Sequence, residues 1–138
     1  MKVKCIANSG NFLSEKRISL GDSKEYTRDY LKIGKIYNVY GIILSKDTLN
    51  YLVAEGSATL EPAEFFELVD NSMPPMWRYG YFGETYLKNE SALYAVWGYK
   101  ELTKDLNHNS DLAEGNEKAL GIFLKRKFEI DEWEENNT

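Results

Sequence analysis

The chain alternates apolar and polar positions more often than it repeats them at helical spacing. Val3 and Cys5 alternate with Lys2 and Lys4, so VKCIA predicts a first strand, closed by the turn cluster NSGN at 8–11. Residues 12–30 hold only scattered apolar positions, Phe12, Leu13, Ile18 and Leu20, and read as a long loop with a short strand around Ile18. LKIGKIYNVYGII at 31–43 predicts one strand. Tyr37, Val39, Gly41 and Ile43 fall on one face, and Ile36, Asn38, Tyr40 and Ile42 on the other. Gly34 suits a turn out of the loop, Lys35 then faces solvent, and Tyr37 and Val39 enter the core. SKDT at 45–48 predicts a turn, Leu49–Ala54 a strand, Gly56 a tight turn and Ala58–Leu60 a short strand. Pro62 has no N–H to give a ladder, so the strand ends there; PAEF makes a helical turn and FELVD a last strand. Five short strands joined by turns predict a small β-barrel.

The pattern changes after NSMPP at 71–75, where Pro74 and Pro75 force extended backbone. MWRYGYFGETY reads as a strand or hairpin, with Trp77, Tyr79 and Tyr81 sharing one face and Phe82 on the other. SALYAVWGYKELTKDL fits a helix starting near Ser91, although ALYAVWGY is equally strand-like. Leu112, Leu120, Phe123, Leu124 and Phe128 predict a C-terminal helical stripe, with Lys125, Arg126 and Lys127 on its solvated side. Asp111 and Glu114 have the spacing of a capping box, and the terminal DEWEENNT is expected to fray.

The stretches VKCIANSG, LKIGKIYNVYGI and NYLVAEGSATLEPAEFFELVD resemble the small bacterial and phage SH3-like β-barrel proteins. Leu31, Gly34, Lys35, Tyr37, Val39, Pro62, Ala63, Phe66 and Glu67 carry the likeness, which covers residues 1–70. It implies a binding module on varied partners and leaves activity to be argued from sites. The fold class expected is therefore α+β, mainly β. An SH3-like barrel at 1–70 is followed by a linker at 71–75. An aromatic hairpin with one or two helices, at 76–138, packs on the barrel.

Composition narrows the partner. The formal net charge is −5, with −1 on residues 1–72 and −4 on residues 73–138. A nucleic-acid binder needs a basic surplus, so nucleic acid is disfavoured and a basic protein partner fits. Cys5 is the single cysteine, which fits a reducing, cytoplasmic setting without disulfides. Neither a signal peptide nor a membrane-length apolar run is evident.

Candidate chemistry is sparse. His108 is the only histidine and reads as a surface residue in NHNSD, with Cys5 in the core. One His and one Cys cannot furnish a zinc set, no nucleotide motif is present, and no cofactor or metal is expected. The acid pairs Glu61 with Glu64, Asp131 with Glu132, and Glu134 with Glu135 leave open a carboxylate hydrolase, against the solvated role usual at helix ends. Aromatics make up 14% of the chain, and Trp77, Tyr79 and Tyr81 form a packing face, a protein-binding surface or, against the acidic balance, a platform for nucleic-acid bases. Asp131, Glu132, Glu134 and Glu135 around Trp133 offer an acidic patch with an apolar anchor. These features point to a non-enzymatic protein-binding module, in its most specific form a bacterial immunity protein that occludes a basic toxin, possibly a nuclease. A phage or mobile-element accessory protein is the alternative.

Overall fold

The structure, a computed structural model, describes residues 1–45, 48–83 and 93–137. It is an α+β fold of two antiparallel sheets and a long C-terminal helix. The smaller sheet has β1 (Lys2–Cys5) between β2 (Ile36–Asn38) and β6 (Phe66–Asp70). The larger sheet runs β5-β4-β3-β8-β7, from β3 (Gly41–Ser45), β4 (Thr48–Glu55), β5 (Ser57–Pro62), β7 (Arg78–Tyr81) and β8 (Leu93–Gly98). Among the described residues, four α-helices complete the fold: α1 (Glu15–Ser19), α2 (Lys100–Lys104), α3 (His108–Ala113) and α4 (Glu117–Asn136).

Residues 31–43 do not form the single strand their alternation predicts. The chain changes sheets between Val39 and Tyr40. The Val39 N–H donates to Met1 O in the smaller sheet, and the Tyr40 N–H donates to Leu52 O in the larger one. The side chains divide the same way. Val39 joins a core with Val3, Cys5, Leu31, Tyr37 and Phe65, while Tyr40 joins a second core with Ile43, Leu52, Val96, Phe123 and Ile130. Gly34 does turn the chain, with φ +90°, and Lys35 is exposed beyond it.

Three further expectations change. Ile18 lies in helix α1, not a strand, because Ser14 caps that helix by accepting from the Arg17 N–H. Residues 93–98 are strand, not helix. Hydrogen bonding to β3 on one side and β7 on the other satisfies the backbone, and burial of Leu93, Ala95, Val96 and Gly98 hides any simple alternation. The helix begins only at Lys100. The C-terminal helical pattern is two helices, because Gly115 takes φ +76° and ends α3. Asn116 caps α4 by accepting from the Ala119 N–H, whereas Asp111 sits inside α3, so the expected capping box does not form. The SKDT turn falls on residues 46–47 and the expected helix start on Ser91, outside the described residues; Ser45 and Thr48 face each other across the hairpin.

Among the described residues, no helix is long and apolar enough to cross a membrane.

Candidate functional site

The acid pairs are built into the fold. Glu61 on β5 is buried and accepts from Arg28 Nε at 2.8 Å and from the Tyr30 hydroxyl at 2.9 Å. Burial pushes its carboxyl above the usual range, against the pull of Tyr30, Arg28 and Thr59. The same contact, with burial, pushes the Tyr30 phenol up to about 12. Glu64 accepts from Arg17 Nε at 2.6 Å, and Arg17 also donates to Asn50 and to the Leu49 carbonyl. Asp22 lies within ion-pair reach of both arginines. This network pins the 12–30 segment to β4, β5 and the turn at Ala63–Phe65. Neither Glu61, which is buried, nor Glu64, which is half-buried, is the solvated helix-end acid expected.

His108 is likewise not on the surface. It is 2% exposed, and its Nε2 lies 2.6 Å from the Tyr99 hydroxyl. Burial lowers the His108 pKa, so the neutral ring is favoured, and burial raises that of Tyr99. Cys5 is fully buried, as expected, and burial raises its thiol. Among the described residues, no group of three or more His, Cys, Asp or Glu is placed to hold a metal ion.

The C-terminal acids divide. Asp131 accepts from Asn38, Tyr40 and Lys127, and these donors outweigh burial and hold its carboxyl below the usual range. Glu134 is 3% exposed and accepts from the Met1 α-amine. Both hold α4 against the sheets and are engaged within the fold, not spread on a solvated patch. The terminal segment is helical to Asn136, so it is not the frayed end expected. Glu132 and Glu135 are exposed, and Trp133 is half-buried. The KRK run divides too: Lys125 is exposed, while Arg126 pairs with Glu101 and Glu129. The Arg126 hydrogen bonds pull Glu101 down to about 2.

The aromatic run also divides. Trp77 precedes β7 and packs against both cores, with its indole N–H buried and without an acceptor among the described residues. Tyr79 and Tyr81 are on β7, the edge strand of the larger sheet, at 57% and 58% exposure. Tyr79 lies across from Trp97 with ring centroids 5.0 Å apart, and Tyr81 meets Tyr94 edge-on at 5.7 Å. Between them, Gly80 faces the other way. A Cβ there would stand 2.3 Å from Thr103 O, so β7 rests directly on α2. The two tyrosines are thus outward rings on a supported strand.

Sequence reasoning missed two exposed apolar features. On α4, Leu124 and Phe128 belong to the outer surface, at 60% and 70% exposure, while Ala119, Phe123, Ile130 and Glu134 face inward. The smaller sheet bears an open groove of about 590 Å³ lined by Lys2, Ile36, Leu68, Val69, Asp70 and Asn71. The exposure of Ile36 was readable, since it alternates with Tyr37; that of Leu124 and Phe128 was not, because the helix phase depends on the break at Gly115.

No family model, no curated protein and no solved structure matches this chain.

Proposed function

We propose that the chain is a non-enzymatic protein-binding module of the cytoplasm, and within that class an immunity protein that neutralises a basic toxin by occlusion. The supporting observation is the Tyr79–Tyr81 pair. Two large amphipathic rings stand more than half exposed on an edge strand whose backbone is fixed by β8 and α2. Aromatic anchors held in this way lose little entropy on binding and dominate interface energetics. Of the carboxylates that an enzyme reading would use, Glu61 and Glu64 are held by arginines, Asp131 by Lys127 and Glu134 by the Met1 amine. The acidic surplus favours a basic partner through steering, with Glu132 and Glu135 as its exposed share on α4. The resemblance of residues 1–70 to SH3-like barrels is compatible with a module of this kind.

A photo-crosslinking residue at position 79 or 81, expressed in the source cell, tests the reading. The expected result is one covalent protein adduct, absent when the probe sits at exposed Lys24. Co-expression with the product of the adjacent reading frame should then rescue growth, and Tyr79→Ala with Tyr81→Ala should remove the rescue. Adducts to RNA or DNA in place of protein would overturn the proposal.

A further inference from the structure

Among the described residues, nothing covers the outer face of α4, and its chemistry identifies its occupant. Phe128 and Leu124 sit one turn apart at 70% and 60% exposure, and neither belongs to a core. Gly121 is on the same exposed stripe, and a Cβ there would meet nothing within 4 Å, so the helix surface is notched two turns before Phe128. The charges of α4 are segregated. Residues 117–127 carry four bases and one acid, whereas residues 128–136 carry five acids and no base. That order opposes the helix macrodipole, which favours acids early and bases late. Arg126, Lys127, Asp131 and Glu134 use part of that order within the fold, but Lys118 and Lys125 in the basic half and Glu132 in the acidic half stay exposed on the outer face.

We infer that α4 pairs antiparallel with α4 of a second copy of this chain, about a two-fold axis beside Lys125. A helix that is basic in one half and acidic in the other complements itself only when reversed; parallel pairing would set acid on acid. Such an isologous contact is the commonest closed symmetry. About that axis, Phe128 of one copy lies over the Gly121 notch of the other, and Lys118 faces Glu132 of the second copy at both ends. The two Lys125 stems flank the axis and carry their ammonium groups outward. A single helix pair is at the small end of specific interfaces, below about 1,200 Å². The dimer is therefore micromolar and reversible. It does not use Tyr79 or Tyr81, so Tyr79→Ala with Tyr81→Ala should leave the dimer unchanged.

Sedimentation equilibrium of the full chain is the test. The wild type should follow a monomer–dimer isotherm, and Phe128→Glu should weaken it by about tenfold or more, with an unchanged circular dichroism spectrum. Lys118→Glu should weaken it, and Lys118→Glu combined with Glu132→Lys should restore it. On oxidation, Lys125→Cys should give a covalent dimer, while Lys118→Cys and the wild type, whose Cys5 is buried, should not. A wild type that stays monomeric to about 200 µM overturns the inference. So does a dimer indifferent to Phe128→Glu, or one that crosslinks through position 118 in preference to 125.

Discussion

Arg17 directs its guanidinium to three acceptors in two segments, the Ala63–Phe65 turn and β4. Its Nε donates to Glu64, one terminal nitrogen to Asn50, and the other to the Leu49 carbonyl, while the side chain is only 5% exposed. Removing it leaves Asn50 and the Leu49 carbonyl short of a donor in a dry site. Leaving a buried acceptor unsatisfied costs about 1–3 kcal/mol, and the one-third-exposed Glu64 adds less than a buried partner would. Arg17→Ala should therefore lower the unfolding free energy by about 2 kcal/mol in denaturant titration, and should expose the 12–30 segment to protease. Loss under 1 kcal/mol would mean that the segment is held by backbone contacts alone. His108 gives a second prediction at this scale. Its folded pKa is depressed by burial, so the unfolded chain binds the proton more readily. Above the unfolded value near 6.5 the neutral ring costs nothing; as pH falls through the folded value, stability is lost. The Asp105, Glu101 and Asp111 carboxylates around it pull the other way without reversing the direction. Thermal melts between pH 8 and pH 5 should show this decline, and His108→Gln should flatten that part of the curve. An identical decline in the variant would assign it to other groups. These polar residues could not be read as buried from sequence, because each acquires its partner only through folding: Arg17 meets Glu64 across 47 positions and Arg28 meets Glu61 across 33.

Elements were legible where one face is wet and the other dry. β1 follows its alternation, and β4, β6 and the tight turn at Gly56 fall close to the predicted positions. The pattern misleads where that asymmetry disappears. β8 is covered on both faces and carries near-continuous burial, which periodicity cannot distinguish from helix. On α4 the inward face includes Glu134, Arg126 and Asp131, whose charges are neutralised by Met1, Glu101, Tyr40 and Lys127, so an apolar count sets the phase wrongly. The aromatic strand was legible as a strand, and its outward tyrosines as candidates; which aromatic stays outside was not, because that depends on α2. Gly80 supplies the corresponding test. A side chain there meets the Thr103 carbonyl of α2 and must push β7 away. Gly80→Ala should destabilise the fold by about 1–3 kcal/mol, the usual cost of overpacking. It should also raise amide exchange in β7 ahead of β4. Unchanged exchange at Tyr79 and Tyr81 would show that α2 does not set their position.

The larger sheet is built from both sides of the proline segment at 71–75, whereas the smaller one lies wholly before it. β3 from the first half is hydrogen-bonded to β8 from the second, and the second core combines Tyr40, Ile43 and Leu52 with Leu93, Val96, Phe123 and Ile130. Two further ties close the molecule: the Met1 amine on Glu134, and Asn38 with Tyr40 on Asp131. Without residues beyond 75, β3 would present an open edge, and the buried faces of Tyr40, Ile43 and Leu52 would meet water, at roughly 1.5–3 kcal/mol each. Net stabilities are only about 5–15 kcal/mol, so losses of this size are decisive. The full chain should therefore unfold in one cooperative transition, with near-UV dichroism and denaturant fluorescence coinciding. A fragment of residues 1–72 should give a collapsed amide proton spectrum and aggregate through the bare β3 edge. A well-dispersed spectrum from that fragment would establish the first half as an autonomous barrel, with the second half as an appended unit. Addition of the separately expressed 73–138 fragment should then restore nothing that the first lacked. If the two halves are as interdependent as the β3–β8 pairing implies, the two fragments should instead recover native dispersion only when mixed.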